Sequence, residues 1–433
     1  MKYADTVRFL YSLGHELKVV KWDLERMRIL LTALGEPHLR GTRFVHVAGT
    51  NGKGSTCAMI ESSLRLAGFR TGFYSSPHLV DPRERIVFDG RPISEDAWVQ
   101  AFLAVRAAIE RLLADEAIDG HPSFFETVTA MAFVAFAQAQ VEITVLETGL
   151  GGRLDATNVV NPEVAVITPI DFDHEAFLGS SIESIAAEKA GILKAGRPAV
   201  FAAQRPDALR VLENRALELD IPVAQSSAWR VENLVQDRYG SRFTLVSDEA
   251  IPVECPLPGA HQIENTRTAV ATLRLLDVPA AAIRAGLAAV RWPGRLERVQ
   301  VNPDIILDGA HNPAGARALA DYIREFYAGE PVRIVFGAMR DKAVEEVTNT
   351  LFPLAAEIIL TAPDQPRALN PQALAELATQ GGATVRVADS VHEALALSAV
   401  TPMTTFVTGS LFMVGETRAC LAGKNSSQPG IKL

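Results

Sequence analysis

A run of small and polar residues at positions 49–56 could bind a phosphate group. It follows an apolar segment with β-branched residues and reads Gly-Thr-Asn-Gly-Lys-Gly-Ser-Thr. A glycine turn between a strand and a helix presents backbone N–H groups and the positive end of the helix dipole to an anion. Lys53 adds a cation, and the hydroxyl of Ser55 or Thr56 suits a hard metal such as Mg²⁺. The stretch therefore predicts a site for a nucleoside triphosphate.

The spacing within this stretch departs from the generic phosphate-loop pattern G-x-x-x-x-G-K-[ST]. Gly49 lies too close to Gly52, and Gly54 separates Lys53 from Ser55. The alternative is a glycine-rich turn that only packs tightly. The order of strand, turn, lysine and hydroxyl favours phosphate binding.

Acidic and imidazole groups follow two further apolar strands. The segment 143–147 ends in Glu147, and the segment 164–170 is followed by Asp-Phe-Asp-His, which ends at His174. The carboxyl ends of parallel strands meet at one edge of a sheet, which here also carries the phosphate loop. A carboxylate that ends an apolar strand is either paired or bound to a metal. The phosphate loop favours the metal.

An aromatic pair and a lysine can each be interpreted as ordinary structural residues or as functional ones. Phe124 and Phe125, beside Pro122 at a helix start, could form a flat apolar platform for a ring. Aromatic residues are more often core, and that alternative stays open. Lys189, in the predicted helix 181–190, is by composition alone an ordinary solvated residue.

The elements that must position these residues alternate between strand and helix, which indicates an α/β fold. We predict an N-terminal domain, residues 1–293, with a P-loop-type and mostly parallel sheet and a small antiparallel excursion near 229–255. A Pro-Gly break within 291–296 is the predicted linker. The alternation restarts in a doubly wound, Rossmann-like C-terminal domain, residues 294–423. A polar tail, residues 424–433, is expected to be flexible.

Composition limits the classes of partner. The 433 residues are 48% hydrophobic and 21% charged, as in an ordinary globular enzyme. A net charge of −9 argues against a general nucleic-acid or membrane-surface binder. The three cysteines lie far apart, and neither a signal peptide nor a membrane span is recognisable. We therefore expect a cytoplasmic monomer without nucleic-acid or membrane partners.

Taken in order, the motifs resemble the folylpolyglutamate synthase / dihydrofolate synthase family, a branch of the ATP-dependent Mur ligase superfamily. The segments Gly-Leu-Gly-Gly-Arg-Leu-Asp-Ala-Thr-Asn at 149–158 and Asp-Gly-Ala-His-Asn-Pro at 308–313 are more specific than the phosphate loop, in which Gly54 is typical of this family. The matching segments cover residues 48–56, 75–79, 84–86, 125–126, 146–158, 173–174, 188–192, 261–265, 293–295, 308–313, 341–342 and 408–410.

The resemblance implies a reaction between ATP, a pterin-bearing carboxylate and L-glutamate. ATP phosphorylates the carboxylate, and the glutamate amine attacks the acyl phosphate to give an amide, ADP and phosphate. Such a reaction needs positioning and charge neutralisation more than covalent work by the protein. The acceptor is dihydropteroate, a folylglutamate or both, and a bifunctional enzyme is the favoured hypothesis.

The resemblance also assigns roles to residues of this sequence. It implies that Lys53, Lys189 and His311 take part in catalysis, and that the two domains close over the site. The residues that match ATP contacts are Gly49, Thr50, Asn51, Gly52, Lys53, Gly54, Ser55, Thr56, Asn265, Arg295 and Asp308.

Magnesium and the folate-type substrate are implied in the same way. Lys189 matches a lysine that is carbamylated in the superfamily, and the carbamate would carry a negative charge able to hold a second Mg²⁺. A monovalent cation is implied as a further cofactor. The matching magnesium ligands are Ser55, Ser76, Glu147, His174 and Lys189. The residues expected near folate or pteroate are Arg85, Phe124, Phe125, Asp155, Ala156 and Thr157.

Two other classes of protein remain as alternatives. One is another ligase of the superfamily, which joins an amino acid to a cell-wall precursor. The other is a nucleotide-dependent switch ATPase, which would have no use for Lys189, Asp308 or His311.

Overall fold

The computed structural model describes residues 1–14, 24–340, 343–378 and 382–423. Two expectations from the sequence lie outside these residues. They concern the Asp341-Lys342 motif and the tail 424–433.

In the described part of the chain, the first domain is built on an eight-stranded sheet. Its strands are β1 Arg43–Ala48, β2 Thr71–Tyr74, β3 Ile86–Phe88, β4 Arg91–Pro92, β5 Ile143–Glu147, β6 Val164–Ile167, β7 Ala199–Phe201 and β8 Val223–Gln225. The strand order is β4-β3-β2-β5-β1-β6-β7-β8, and only β3 and β4 run antiparallel to their neighbours. The central strands β1, β5 and β6 are buried along almost their whole length, as expected of parallel strands with helices on both faces of the sheet.

Ten helices belong to this domain in the described part of the chain. They are α1 Tyr3–Ser12, α2 Glu25–Ala33, α3 Lys53–Leu66, α4 Glu95–Ala114, α5 Phe124–Gln138, α6 Glu175–Leu178, α7 Ile182–Ala190, α8 Pro206–Glu218, α9 His261–Leu275 and α10 Ala280–Ala289. Helix α3 packs between the sheet and helices α9 and α10, so almost its whole length is buried.

The predicted β excursion is a separate antiparallel sheet. It consists of β9 Arg230–Asp237, β10 Gly240–Val246 and β11 Ala250–Cys255, in the order β11-β10-β9. Phe243, Leu245, Ile251 and Val253 alternate along β10 and β11 and join the apolar core around α3. This alternation is what a sheet with one buried face requires.

The second domain has six strands and five helices in its described part. The strands are β12 Glu297–Gln300, β13 Ile305–Leu307, β14 Val332–Phe336, β15 Glu357–Leu360, β16 Thr384–Val387 and β17 Thr404–Thr408. The helices are α11 Pro313–Phe326, α12 Val344–Leu351, α13 Pro371–Ala378, α14 Val391–Ala399 and α15 Leu411–Leu421. The order is β12-β13-β17-β14-β15-β16, with only β12 antiparallel. Apolar clusters cover both faces, as in a doubly wound domain.

The predicted fold class is confirmed in both domains. The domain boundary at residues 293–294 stays a prediction, although β12 begins shortly after it. The sequence did not predict β12, because Glu-Arg-Val-Gln is too short and charged to stand out as a strand. Within the described ranges, no helix is both long and apolar enough to cross a membrane.

Candidate active site

A cleft of about 450 Å³ lies between the two domains. The loops that follow β1, β5 and β6 form one side, and the loop after β13 forms the other. This is the carboxyl edge of parallel strands, where α/β proteins bind ligands. The expected residues that line the cleft are Gly49, Thr50, Asn51, Gly52, Lys53, Gly54, Ser55, Ser76, Glu147, His174, Lys189, Asn265, Arg295, Asp308 and His311.

The phosphate loop, residues 49–54, ends in an open helix start. Gly52 has a φ of +83°, and a Cβ there would lie 2.2 Å from Oδ1 of Asn265. Helix α3 begins at Lys53, and no described side chain caps it. The first N–H groups of a helix have no acceptor within the helix. These donors and the helix dipole therefore provide an anion site at the cleft.

The unusual glycine at position 54 has a packing reason. A Cβ there would lie 2.6 Å from Cζ2 of Trp292, which comes from the linker. The Trp292 ring packs in turn against Phe73, with the ring centroids 5.3 Å apart. The linker thus rests on the start of the phosphate-loop helix.

Thr56 does not face the cleft. Its hydroxyl is buried and has no hydrogen-bond partner among the described residues. Successive residues of a helix point about 100° apart, so Ser55 and Thr56 face different directions. Ser55 lines the cleft and Thr56 does not, so the expected contact of Thr56 with ATP stays a prediction that the lining does not support.

Two lysines meet at one carbonyl oxygen of the phosphate loop. Lys189 Nζ donates to Gly49 O at 2.8 Å, and Lys53 Nζ donates to the same oxygen at 3.1 Å and to Thr50 O at 3.2 Å. Burial, with the nearby charge of Lys53, lowers the pKa of Lys189 to about 7. The interpretation of Lys189 as a solvated residue is therefore wrong, because its side chain is buried and bonded to the phosphate loop.

Glu147 ends β5 as a buried carboxylate at the cleft. Its Oε2 accepts the backbone N–H of Ser76 at 3.3 Å. Burial raises the pKa of Glu147, and the charge of Lys53 opposes that rise. The described residues contain no cluster of three His, Cys, Asp or Glu side chains that could hold a metal alone. A metal bound here would therefore need hydroxyl groups or a ligand's oxygens as well.

The segment 149–158 is held by its own aspartate. One carboxylate oxygen of Asp155 accepts the N–H groups of Gly149 and Leu150, at 2.8 and 2.9 Å, and the other accepts from Thr157. Nε2 of the buried His46 lies 2.8 Å from the Thr157 hydroxyl. Because that hydroxyl donates to Asp155, His46 must donate to it.

The aromatic platform predicted at the start of α5 is not exposed. Phe124 is 1% exposed and stacks on Tyr11, with ring planes 8° apart and the guanidinium of Arg85 over its face. Phe125 is half-buried and fills the space beside Gly149. The core alternative is therefore correct for Phe124. None of the six expected substrate residues lines the cleft, and the buried ones are Arg85, Phe124, Asp155, Ala156 and Thr157.

The second domain contributes the turn after β13, in which the Asp308 side chain is held by backbone N–H groups. The Asp308 carboxylate accepts the N–H groups of Leu296 and Ala310, at 3.0 and 2.9 Å. Nδ1 of His311 lies 2.7 Å from Gly309 O and must donate to it. In a neutral ring Nε2 is then unprotonated, and it lies 3.4 Å from Oδ2 of Asp173.

Contacts across the cleft are made by Asn312 and Arg317, to which the sequence had assigned no role. Asn312 donates to Asn51 Oδ1 at 3.0 Å and to Asp173 Oδ2 at 3.1 Å. Arg317 on α11 pairs with Asp171 at 3.0 Å. Asn312 belongs to the same specific motif as Asp308, which was the available signal; nothing in the sequence marked Arg317.

Models of two protein families match the chain. The Mur ligase middle domain matches residues 47–273, and the Mur ligase glutamate ligase domain matches residues 294–411. The boundary between the two matches falls near the linker, and the cleft lies between the matched regions. The fold and the cleft are those of a two-domain ligase of the Mur type.

Several relatives show to which branch of the Mur-type ligases the chain belongs. Folylpolyglutamate synthase of Lacticaseibacillus casei is 35% identical over 98% of this chain and 100% of its own length. Dihydrofolate synthase/folylpolyglutamate synthase of Bacillus subtilis is 39% identical, over 81% of this chain and 83% of its own. The solved Mycobacterium tuberculosis folylpolyglutamate synthase complexed with ADP superposes with a TM-score of 0.89 and 34% identity, covering 96% of this chain and 98% of that one. The chain belongs to the folylpolyglutamate synthase/dihydrofolate synthase family, which confirms the resemblance.

Proposed function

We propose that this chain is an ATP-dependent ligase that joins L-glutamate to a folate-type carboxylate, and that it uses both dihydropteroate and folylglutamates. One observation supports the ligase chemistry most strongly. The phosphate loop, Glu147 and Lys189 face Asp308 and His311 of the other domain across a single cleft. The double name of the Bacillus subtilis relative supports the bifunctional activity.

The phosphate loop would bind the β- and γ-phosphates of ATP. The N–H groups at the start of α3 point at the cleft, and Lys53 lies on the loop itself. The ammonium of Lys53 would exchange the carbonyls of Gly49 and Thr50 for phosphate oxygens, which carry more negative charge. The relative from Mycobacterium tuberculosis, solved with ADP, supports a nucleotide in this cleft.

The residues around Glu147 fit magnesium. Mg²⁺ is commonly held by one or two carboxylates together with substrate phosphates and water. The buried carboxylate of Glu147 at the phosphate end of the cleft suits that pattern. Bound magnesium supplies charge neutralisation at the phosphoryl group. The proposed ligands are Ser55, Ser76, Glu147, His174 and carbamylated Lys189.

Lys189 is suited to carbamylation by its surroundings. The reaction needs a neutral amine, whose nitrogen attacks the carbon of CO₂ and then loses a proton. Burial lowers the pKa of Lys189 to about 7, so a large share of the amine is neutral at physiological pH. The carbamate would place a negative charge beside Lys53, where the free amine places a second positive one.

The second domain would bring glutamate to the acyl phosphate. The bond between His311 Nδ1 and Gly309 leaves Nε2 directed into the cleft, where it can accept a proton from the glutamate ammonium. The free amine then attacks the acyl carbon, the amide C–N bond forms, and phosphate leaves. Closure of the domains would keep water from the acyl phosphate.

The test is an assay of the purified protein with ATP, glutamate and one acceptor at a time. With dihydropteroate or a tetrahydrofolate derivative, we expect ADP and a glutamyl amide, with chain lengths read by mass spectrometry. ATP hydrolysis at full rate without glutamate would instead indicate a switch ATPase. Amide formation only with a cell-wall precursor would indicate the other class of ligase. From composition we further propose a cytoplasmic monomer.

A further inference from the structure

A rigid loop follows β2 at the edge of the cleft. The Glu84 carboxylate accepts three successive backbone N–H groups, those of Leu79, Val80 and Asp81, at 2.7, 3.2 and 2.9 Å. Asp81 also caps the short helix that contains Glu84. A carboxylate that binds three adjacent N–H groups fixes the backbone around it. The segment 79–84 is therefore held together by the Glu84 carboxylate.

The base of this loop belongs to the nucleotide end of the cleft. The backbone N–H of Ser76 donates to Oε2 of Glu147, and both residues line the cleft. Two residues further on, the buried ring of His78 accepts a hydrogen bond from Nε of Arg85 at 2.8 Å. The position of the loop therefore determines where the backbone of Ser76 meets the Glu147 carboxylate.

The tip of the loop packs against the second domain. The Leu79 side chain packs against the apolar core that contains Val414 of α15. A Cβ at Gly415 would lie 2.0 Å from the carbonyl oxygen of Leu79, and a Cβ at Gly294 would lie 2.8 Å from Val414 and 3.5 Å from Leu79. Loop, linker and helix meet here without space for a methyl group. We call Leu79, Gly294, Val414 and Gly415 the Leu79 notch.

Helix α15 connects this notch to the reactive turn of the second domain. The helix begins at Leu411, which lines the cleft, and its first turn is capped by Ser410. Gly409, just before the cap, donates its N–H to Ala310 O at 3.1 Å. One end of α15 thus contacts the turn that carries His311, and the middle of the helix holds the loop that carries Ser76.

We propose that the Leu79 notch positions the two halves of the reaction centre relative to each other, so that glutamate and not water meets the acyl phosphate. This proposal rests on the proposed ligase function. Its residues are positioning residues, since they act through Ser76, Glu147 and the turn at His311. When the turn at His311 is displaced from the phosphate loop and Glu147, water attacks the acyl carbon, the bond to phosphate breaks, and the carboxylate is regenerated. ATP is then consumed without forming an amide.

The test is the ratio of ADP to amide formed by Gly415→Ala. The new methyl group meets a backbone oxygen, so no side-chain rotation relieves the contact and loop and helix must separate. A displacement of about 1 Å can reduce a positioned reaction about 100-fold. We expect kcat for amide formation to fall by about tenfold to 100-fold, with the KM for ATP within about twofold. The ratio of ADP to amide should rise from one in the wild type to about two or more.

Two further variants separate positioning from folding. Gly120→Ala is the matched control, because a Cβ there has no atom within 4 Å, and its ratio should stay at one. Leu79→Ala leaves the backbone contact in place and removes only side-chain packing, so it should raise the ratio less than Gly415→Ala. It also serves if Gly415→Ala fails to fold.

The outcomes are distinct. A merely structural loss would reduce ADP and amide together and leave the ratio at one. An active wild type with a ratio of one in both notch variants therefore overturns the positioning role, whatever happens to the rate. Wild-type protein that forms no amide would overturn the proposed function itself.

Discussion

Two glycine-rich turns leave adjacent strands of the same sheet and end differently. β1 and β5 are parallel neighbours, so the turns 49–54 and 149–152 emerge at the same edge. The first leads into a helix without a side-chain cap. In the second, Asp155 accepts the N–H groups of Gly149 and Leu150.

The difference shows what makes a glycine turn a binding site. Both turns offer backbone donors, and an anion is attracted to either. In the turn 149–152 a carboxylate of the chain already binds the N–H groups of Gly149 and Leu150, so that turn is a fixed wall. In the turn 49–54 Thr50 and Asn51 donate to Pro169 O at 3.0 and 3.2 Å, and the donors left for an anion are those at the start of α3. Glycine content alone therefore does not identify a phosphate site; the nearest acidic side chain must also be known.

Helix α7 joins the two turns. Lys189 donates to Gly49 O in the first turn, and a Cβ at Gly152 in the second would lie 2.9 Å from Glu188 O and 3.1 Å from Lys189 Cα. We call 149–152 the clamped turn and 49–54 the open turn. The clamped turn packs against helix α7, and Lys189 on that helix donates a hydrogen bond to the open turn.

Replacement of Lys53 should have the largest effect, because it removes the cation from the open turn. We expect Lys53→Ala to reduce amide formation by about 10³-fold or more, since backbone donors alone cannot neutralise the transferring phosphoryl group. Steady-state assays with saturating ATP measure the rate of amide formation. Lys194→Ala is the control, a lysine of the same domain that does not line the cleft. A loss of less than about tenfold would refute the role of Lys53.

Replacement of Lys189 tests the connection between the turns. Lys189→Ala should lose about 10²-fold in activity and recover part of it with added short carboxylates, which can replace the carbamate. In wild-type protein stripped of CO₂, bicarbonate should restore activity increasingly as pH rises through about 7, where Lys189 becomes neutral. Full activity of Lys189→Ala without additive would show that no carbamate is needed.

The sequence predicted the open turn better than the clamped one. The order of strand, glycine turn, lysine and hydroxyl is local, and so was enough to place Lys53 and Ser55 at the cleft. Glu147 followed from strand direction, because parallel strands end at one edge.

The sequence-based predictions that were wrong concerned residues whose burial depends on contacts between distant segments. Helical periodicity shows which residues share a face but not what covers that face, so the burial of Lys189 under the phosphate loop could not be predicted from composition. Phe124 is covered by Tyr11 and Arg85, from two other parts of the chain. The clamp by Asp155 involves nearby residues, yet its motif reads equally well as a ligand contact.

Asp155→Asn should open the clamp with a moderate effect. The amide has one oxygen where the carboxylate has two, so either the N–H groups of Gly149 and Leu150 or the N–H group of Thr157 lose their acceptor. We expect the free energy of unfolding to fall by about 1–3 kcal/mol and kcat to fall about tenfold to 100-fold. Urea unfolding and steady-state kinetics measure the two effects. Asp248→Asn, at an exposed position, is the control and should change neither quantity. An unchanged kcat would mean that the turn 149–152 needs no clamp.

Thr157→Val should have the smallest effect and would show how far the clamp extends. It keeps the side-chain shape but removes the hydroxyl between His46 and Asp155. The cost should be about 1–2 kcal/mol in unfolding free energy, because two buried polar groups each lose a partner. The N–H groups of Gly149 and Leu150 keep their acceptor, so kcat should change less than about threefold. Burial lowers the pKa of His46 to about 3, so the ring is neutral near pH 7 and the cost should not vary with pH there. Thr157→Ser, which retains the hydroxyl, should recover most of the stability. A loss of activity as large as that of Asp155→Asn would instead make His46 and Thr157 necessary parts of the clamp.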